Sequence, residues 1–533
     1  MLIDATELRD GQEIDTDVCV VGGGLAGLSI ASSFLDSELK VVLLESGPVG
    51  CSSEADALSE GEVTAHAYFP LSEAAPRRLG GAAEVWGGWC RPLDSVDFER
   101  GDGRWSGWPW NAAELAPYYE RSIEFLGMSD RGFTGQDWSE GLPPLYQHLQ
   151  ENSLLQIGVW QESPLAPVSE TWADRLQQSN NITTYLGATA LQIELGTDEG
   201  EVTAISAAAV NGKRFTVKAR HFVLAGGALG TVRLMLASDS RAKEGVGNQN
   251  GMVGRFFAEH PHIVAGRIAL SSEAGRRRPR FAAIDRGLTG LRARIEMERP
   301  AAGIRAGIHL DEDVRRREGL LNVIAHLRPP SLEPPRSALE FFREARHRNL
   351  GKALRLVPQL IREFPAVVQV VYRRLLKRPR ELELYVQVET SPYPDSRVAL
   401  SDQKDAFGMP RADLQWKIDP ADKDNLRRTL QLMADELSAL GLGRLELEPW
   451  VTEPGDVWAD EAFGGLHLMG VTRMSVDPED GVVDPDGKVH GLSNLWVAGS
   501  SVFPTFGAAN PGMTLVATSL RTADRLGEEL AGS

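Results

Sequence analysis

Asp17-Val18-Cys19-Val20-Val21-Gly22-Gly23-Gly24-Leu25-Ala26-Gly27-Leu28-Ser29-Ile30-Ala31-Ser32-Ser33-Phe34-Leu35 decides the fold, and Lys40-Val41-Val42-Leu43-Leu44-Glu45 completes the reading. Asp17 to Val21 is a short, apolar, β-branched run, the pattern of a strand buried in a parallel sheet. It passes directly into G-x-G-x-x-G, then a helical stretch, then a second apolar strand that ends on an acidic residue. Gly22 permits the tight turn, Gly24 lets backbone approach a pyrophosphate, and Gly27 lets the helix pack closely on the strand. Free N–H groups at the start of the helix then face the phosphates. Glu45 is placed to accept hydrogen bonds from ribose hydroxyls, and its charge disfavours a 2′-phosphate. A bare G-x-G-x-x-G is weak evidence and also occurs as a glycine-rich turn in unrelated α/β proteins. The order strand, turn, helix, strand, acid makes it a dinucleotide site. The motif does not separate NAD from FAD.

Working outward, 533 residues fit two intimately joined domains. With 42% hydrophobic and 24% charged residues the chain can bury a large core. Its 56 Lys and Arg against 74 Asp and Glu leave a net charge of −18, which argues against general nucleic-acid binding because phosphate is repelled. Cys19, Cys51 and Cys90 show no CxxC spacing, so neither a disulfide framework nor a thiolate zinc site is expected. The start, MLIDATELRDGQEIDTD, lacks the basic residues and apolar run of a secretory signal. No apolar run of about 18 residues occurs, so no transmembrane segment is expected and the cytoplasm is the expected location. No internal repeat is evident. His66, His148, His221, His309, His326, His347 and His490 lack metal-ligand spacing, and His260 and His262 have no evident third ligand, so no metal is expected. No G-x-S-x-G elbow supports a serine nucleophile.

Four further stretches resemble the glucose-methanol-choline (GMC) flavoprotein oxidoreductases over nearly the whole chain, nearest to the bacterial branch of pyranose oxidases and glycoside 3-oxidases. The first is the loop Arg78-Leu79-Gly80-Gly81-Ala82-Ala83-Glu84-Val85-Trp86-Gly87-Gly88-Trp89-Cys90-Arg91-Pro92-Leu93-Asp94. The second is His221-Phe222-Val223-Leu224-Ala225-Gly226-Gly227-Ala228-Leu229-Gly230-Thr231, with Asn181 to Leu191 as a neighbouring strand. The third is Gly251-Met252-Val253-Gly254-Arg255-Phe256-Phe257-Ala258-Glu259-His260-Pro261. The fourth runs from Gly464-Gly465-Leu466-His467-Leu468-Met469-Gly470-Val471-Thr472-Arg473-Met474 through Val489 to Pro504 and closes with Ala508-Ala509-Asn510-Pro511-Gly512-Met513-Thr514.

The resemblance implies FAD as cofactor. In pyranose oxidases a His just before the loop tryptophan carries the flavin covalently; Val85 stands there, so non-covalent binding is expected. Carried over residue by residue, the cofactor contacts fall at Gly22, Gly24, Leu25, Ala26, Gly27, Glu45, Ser46, Arg78, Gly80, Gly81, Trp86, Gly87 and Gly88. They continue at Ala190, Ala225, Gly226, Gly499, Ser500, Asn510, Pro511, Met513 and Thr514. The catalytic pair is His467, facing the flavin N5 region, and Asn510. The chemistry suits those residue types. Alcohol oxidation needs a base for the hydroxyl proton, and the ordinary imidazole pKa of about 6.5 lies near neutrality. Asn510 can donate to the developing alkoxide but cannot take its proton. For His260 a structural or hinge role is the expectation, because the surrounding sequence supplies no acid–base partner.

The expected architecture is α/β: a Rossmann-like FAD-binding domain with a discontinuous α+β substrate domain on a mixed sheet. Its boundaries are 1–264 and 463–533 for the FAD domain and 265–462 for the substrate domain. Leu382 to Val388, Arg397 to Leu400 and Arg411 to Ile418 read as strands, and Pro420 to Leu440 as an amphipathic helix. A basic helical excursion spans about 338–380, with eleven Lys and Arg against two Glu between Phe341 and Arg380. It is open to three readings: packing on its own domain, a lid or a homo-oligomer contact, or docking on an anionic membrane or acidic partner. Trp105, Trp108 and Trp110 read as a packed corner ahead of a carbohydrate platform. The expected function is FAD-dependent oxidation of a CH–OH group in a small-molecule alcohol, foremost a sugar or glycoside. O2 or another acceptor would reoxidise the flavin. The alternatives are a non-sugar alcohol of a natural-product pathway, or a non-catalytic flavoprotein that binds a partner through the basic helices.

Overall fold

In the computed structural model the described residues are 1–99, 105, 107–142, 144–149, 154–165, 167–271, 303–328, 357–358, 362, 381–455, 457–459 and 462–532. The basic stretch 341–380 therefore lies outside the described residues, apart from three positions.

The strand Gln12–Val21 lies inside an eight-stranded sheet. Val41–Glu45, Ile182–Leu186 and Leu2–Asp4 follow on one side in parallel. On the other side Arg214–Leu224 pairs in parallel, carries Leu495–Val497 at its end, and turns antiparallel into Val202–Ala209 and Ala188–Leu195. Val18, Val20 and Leu43 are fully buried, as continuous apolar strands require when both faces are covered. Helix Leu25–Ser33 packs beside the long closing helix Gly512–Gly532, which also meets Ala112–Phe125. The carboxy-terminal chain thus returns to the amino-terminal motif.

A second eight-stranded sheet forms a roof, ordered Gly443–Leu447, Pro261–Leu270, Glu381–Val388, Val323–Arg328, Ile304–Leu310, Leu155–Glu162, Trp89–Cys90, with Phe463–Gly464 pairing Pro261–Leu270. Every pairing in it is antiparallel among the described residues. Short returns suffice to join antiparallel neighbours, so the roof needs no crossover helices. The mixed pairing expected of a single substrate-domain sheet is found elsewhere. Arg397–Lys404 and Pro410–Trp416 leave the roof and form a three-stranded sheet with Val63–Ala65, one pair antiparallel and one parallel. The roof also draws Trp89–Cys90 and Leu155–Glu162 from upstream of residue 265. Strand partners far apart in sequence are not encoded in either strand's own pattern.

The helix expected over Pro420–Leu440 spans Asp422–Ala439 and packs against Gly443–Leu447 and Ile304–Leu310. The tryptophans do form a packed corner. Trp108 is buried, with ring centroids 5.2 Å from Phe503 and 4.8 Å from Trp110, while Trp105 lies edge-on to Phe256 at 4.8 Å. Among the described residues no helix is long and apolar enough to cross a membrane.

Candidate active site

The glycine turn is built on contacts that exclude side chains. Gly22 has a φ of +111°, and a Cβ there would lie 2.5 Å from the Ala225 carbonyl oxygen. A Cβ on Gly27 would lie 1.9 Å from the Gly22 carbonyl oxygen, so helix and turn touch backbone to backbone. Glu45 is buried, and its two carboxylate oxygens accept from the N–H groups of Gly23 (2.7 Å) and Gly47 (2.8 Å). Burial raises its pKa although both bonds favour the ionised form. The carboxylate braces the turn and also lines the adjoining cavity.

That cavity is lined by Gly22, Gly24, Leu25, Ala26, Glu45, Ser46, Gly81, Trp86, Gly87, Gly88, Ala190, Ala225 and Gly226, and also by Gly499, Ser500, Asn510, Pro511 and His467. Five residues read as cofactor contacts do not line it. Gly27 serves helix packing. Gly80 closes the loop onto the turn, donating its N–H to Gly23 O at 2.8 Å. Arg78 turns away, with Nη2 2.5 Å from Asp56 and Nη1 2.7 Å from the Cys51 sulfur. Met513 is buried in the core, and Thr514 pairs with the Tyr119 hydroxyl at 2.9 Å. Arg77, which the sequence reading did not single out, lines the cavity instead and reaches Ser59 Oγ at 2.9 Å and Ser46 Oγ at 3.3 Å. Nothing in two adjacent arginines states which one faces inward. Dinucleotide fit is supported by the glycine cradle and by the buried Trp86 Nε1, which has no hydrogen-bond partner among the described residues while its indole borders the cavity. Val85 also lines the cavity and offers no group that could attach a flavin covalently.

At the other side of the same cavity, three segments meet. Phe463–Gly464 pairs with Pro261 and His262, and Met469 exchanges backbone hydrogen bonds with Ala258. This pairing sets residues 258–262 beside 463–469. Gly465 is required there, since a Cβ would lie 2.5 Å from His262 Nε2 and 2.9 Å from His467 Nδ1. The His467 N–H donates to both Glu259 oxygens, at 3.0 and 2.9 Å. The His467 ring then makes two side-chain contacts: Nε2 lies 3.0 Å from Asn510 Nδ2, and Nδ1 lies 2.9 Å from His260 Nδ1. His260 Nε2 lies 2.9 Å from the Gly507 carbonyl oxygen. The structure thus gives the His260 ring an acid–base neighbour that its local sequence did not show, His467 from 207 residues away, while adjacent Glu259 accepts from the His260 backbone N–H at 2.7 Å.

Burial dominates the electrostatics. It lowers the pKa of His467 well below the ordinary value, with His260 and His262 adding to the effect. It brings His260 down to about 4 and His262 to about 3. The same burial raises Glu259 to about 7, against bonds from the Tyr68 hydroxyl and the N–H groups of His260, His467 and Gly465. At neutral pH the imidazoles are uncharged, and an uncharged imidazole is the form that can accept a proton. Glu259, His260 and His467 also bring potential ligand atoms within 4.8 Å of one another. The ring nitrogens of both histidines are engaged with each other, with Gly507 O and with Asn510, so the cluster is built as a hydrogen-bonded relay.

Residues 392–519 match the family profile described as GMC oxidoreductase. The 6'''-hydroxyparomomycin C oxidase of Streptomyces lividus is 25% identical over 585 residues, covering 98% of this chain and 94% of that protein. The fructose dehydrogenase large subunit of Gluconobacter japonicus is 25% identical over 352 residues, covering 62% of this chain; the chain spans about half of that relative, 52%. Among solved structures, pyridoxine 4-oxidase from Mesorbium loti superposes with a TM-score of 0.57 at 18% identity, covering 96% of this chain and 99% of that one. At that identity the likeness speaks for the fold.

Proposed function

We propose that this chain, which carries a GMC oxidoreductase carboxy-terminal domain, is an FAD-dependent enzyme that oxidises a CH–OH group, with a sugar or glycoside hydroxyl as substrate. The carrying observation is that one cavity is lined both by the glycine turn and by His467 and Asn510. When bound, FAD supplies the acceptor for the hydride that leaves the carbinol carbon.

The rest is done by the chain's own side chains. His467 Nε2 takes the hydroxyl proton, since neutrality leaves its lone pair available. The Asn510 amide donates toward the same point and holds the oxygen as negative charge grows on it. Glu259 holds the His467 backbone through its N–H, with its carboxyl 4.0 Å from His467 Nδ1. Cofactor binding is non-covalent. A sugar-type hydroxyl follows from the names of two relatives, a fructose dehydrogenase and a hydroxyparomomycin oxidase. O2 or another acceptor completes the cycle.

The test is an anaerobic panel of sugars, glycosides and simple alcohols mixed with the purified protein. Loss of the oxidised flavin band with a sugar or glycoside is expected. Bleaching by simple alcohols alone would replace the substrate class, and no bleaching by any alcohol would remove the enzymatic reading.

A further inference from the structure

The contact between two imidazoles has only one satisfactory arrangement of protons. The Gly507 carbonyl can only accept, so the His260 nitrogen facing it at 2.9 Å, Nε2, carries hydrogen. His260 is fully buried and held neutral, so its Nδ1 is a bare lone pair. That lone pair faces His467 Nδ1 at 2.9 Å and requires a donor there. The hydrogen of neutral His467 is therefore on Nδ1, and its Nε2 is bare. The third contact agrees: Asn510 Nδ2 is a donor, and at 3.0 Å it meets an acceptor at Nε2. The nearby carboxylate does not replace this link, because Glu259 Oε1 is 4.0 Å from His467 Nδ1, beyond hydrogen-bond range.

We infer that His260 is a positioning residue that sets the tautomer of the base: by accepting from His467 Nδ1–H it leaves Nε2, the nitrogen beside Asn510, without a hydrogen, so that Nε2 can take the substrate proton once the substrate hydroxyl replaces the Asn510 contact. With the opposite tautomer two lone pairs would meet between the rings, and Nε2–H would point at the Asn510 amide hydrogens. His260 is itself fixed twice, through its ring to Gly507 O and through its N–H to Glu259 Oε1 at 2.7 Å. The rings stand nearly perpendicular, at 79°, with centroids 5.0 Å apart, so neither is held by stacking alone.

This inference rests on reading His467 as the base, but its first test does not use activity. In the flavin-loaded protein with 15N-labelled histidine, nitrogen NMR separates protonated from bare ring nitrogens, and loss of signals in His467→Ala assigns them. A protonated Nδ1 and a bare Nε2 at His467 are expected, and the reverse pattern in the unmutated protein overturns the proposal without any variant at 260. Replacing His260 then asks for the consequence. His260→Leu offers no acceptor and should lower the limiting rate of flavin reduction about 100-fold, with half-saturation changed less than about threefold. His260→Asn, whose Oδ1 can accept from Nδ1–H, should recover most of that rate. Equal losses in both variants with an unchanged His467 nitrogen spectrum would assign His260 a merely structural role. A correct tautomer in a protein whose His467→Ala variant still bleaches at full rate would instead sink the reading of His467 and leave the tautomer assignment intact.

Discussion

At the glycine turn the decisive contacts are between backbone atoms: Gly27 against Gly22 O, and Gly22 against Ala225 O. Around His467 they are between side chains whose protons must agree in direction: Asn510 to Nε2, and Nδ1 to His260. The first arrangement works by excluding atoms and tolerates no Cβ. The second works by polarity and tolerates a change of shape so long as donor still meets acceptor. Substitutions at the two places should therefore fail differently, the first in holding the cofactor and the second in using it.

The largest effect is expected from Gly27→Ala. Its methyl group would meet Gly22 O at 1.9 Å, with backbone on both sides, so purified protein should lack the flavin absorbance band. A yellow, fully loaded Gly27→Ala protein would break the contrast. His467→Ala should keep the flavin and lose about 1,000-fold in the rate of anaerobic flavin reduction, as removal of a base does. Loss of flavin from that variant would place His467 with the cradle. Asn510→Ala should cost less, about 100-fold, because the proton acceptor stays and only one donor is removed. Stopped-flow bleaching that finds equal rates for the two variants would reject the division of labour between them.

The smallest effect concerns the fold and its protons. The pKa values of seven histidines, His66, His221, His260, His262, His309, His326 and His467, are lowered by burial. For them the unfolded chain binds more protons than the native one below about pH 6.5, so their contribution to stability rises with pH up to that point. Three carboxylates, Glu45, Glu259 and Asp422, are raised by burial and pull the other way above their ordinary pKa. The histidines outnumber them, so the thermal midpoint should fall by several degrees between pH 7 and pH 5. A midpoint that rises on acidification would mean that the carboxylates dominate.

Legibility in the sequence divides along the same line. The turn could be read because its determinants follow one another without a break from Asp17 to Leu35: apolar strand, glycine spacing, helix. The family motif around His467 and Asn510 likewise named the pair that lies 3.0 Å apart. What escaped was pairing over distance. His260 looked partnerless because its partner is contributed by a segment zipped alongside it through the Ala258 and Met469 backbone. Trp89–Cys90 and Leu155–Glu162 showed no sign of belonging to a sheet assembled mainly after residue 265, because an antiparallel strand carries no address for its neighbour. Arg77 and Arg78 differ only in which way the chain faces, and that is set by Asp56 and Cys51 capturing the second of them.

His260 is followed at once by Pro261, the first residue of the roof strand Pro261–Leu270. The ceiling and the proposed base, His467, are therefore joined through His260. Engineers who graft foreign specificity onto the distal strand Ile304–Leu310, three places along the roof from Pro261–Leu270, should leave proton abstraction untouched. A crossover point cut between 258 and 262 would carry the tautomer lock away with the ceiling, and chimaeras joined there would inherit a silent imidazole.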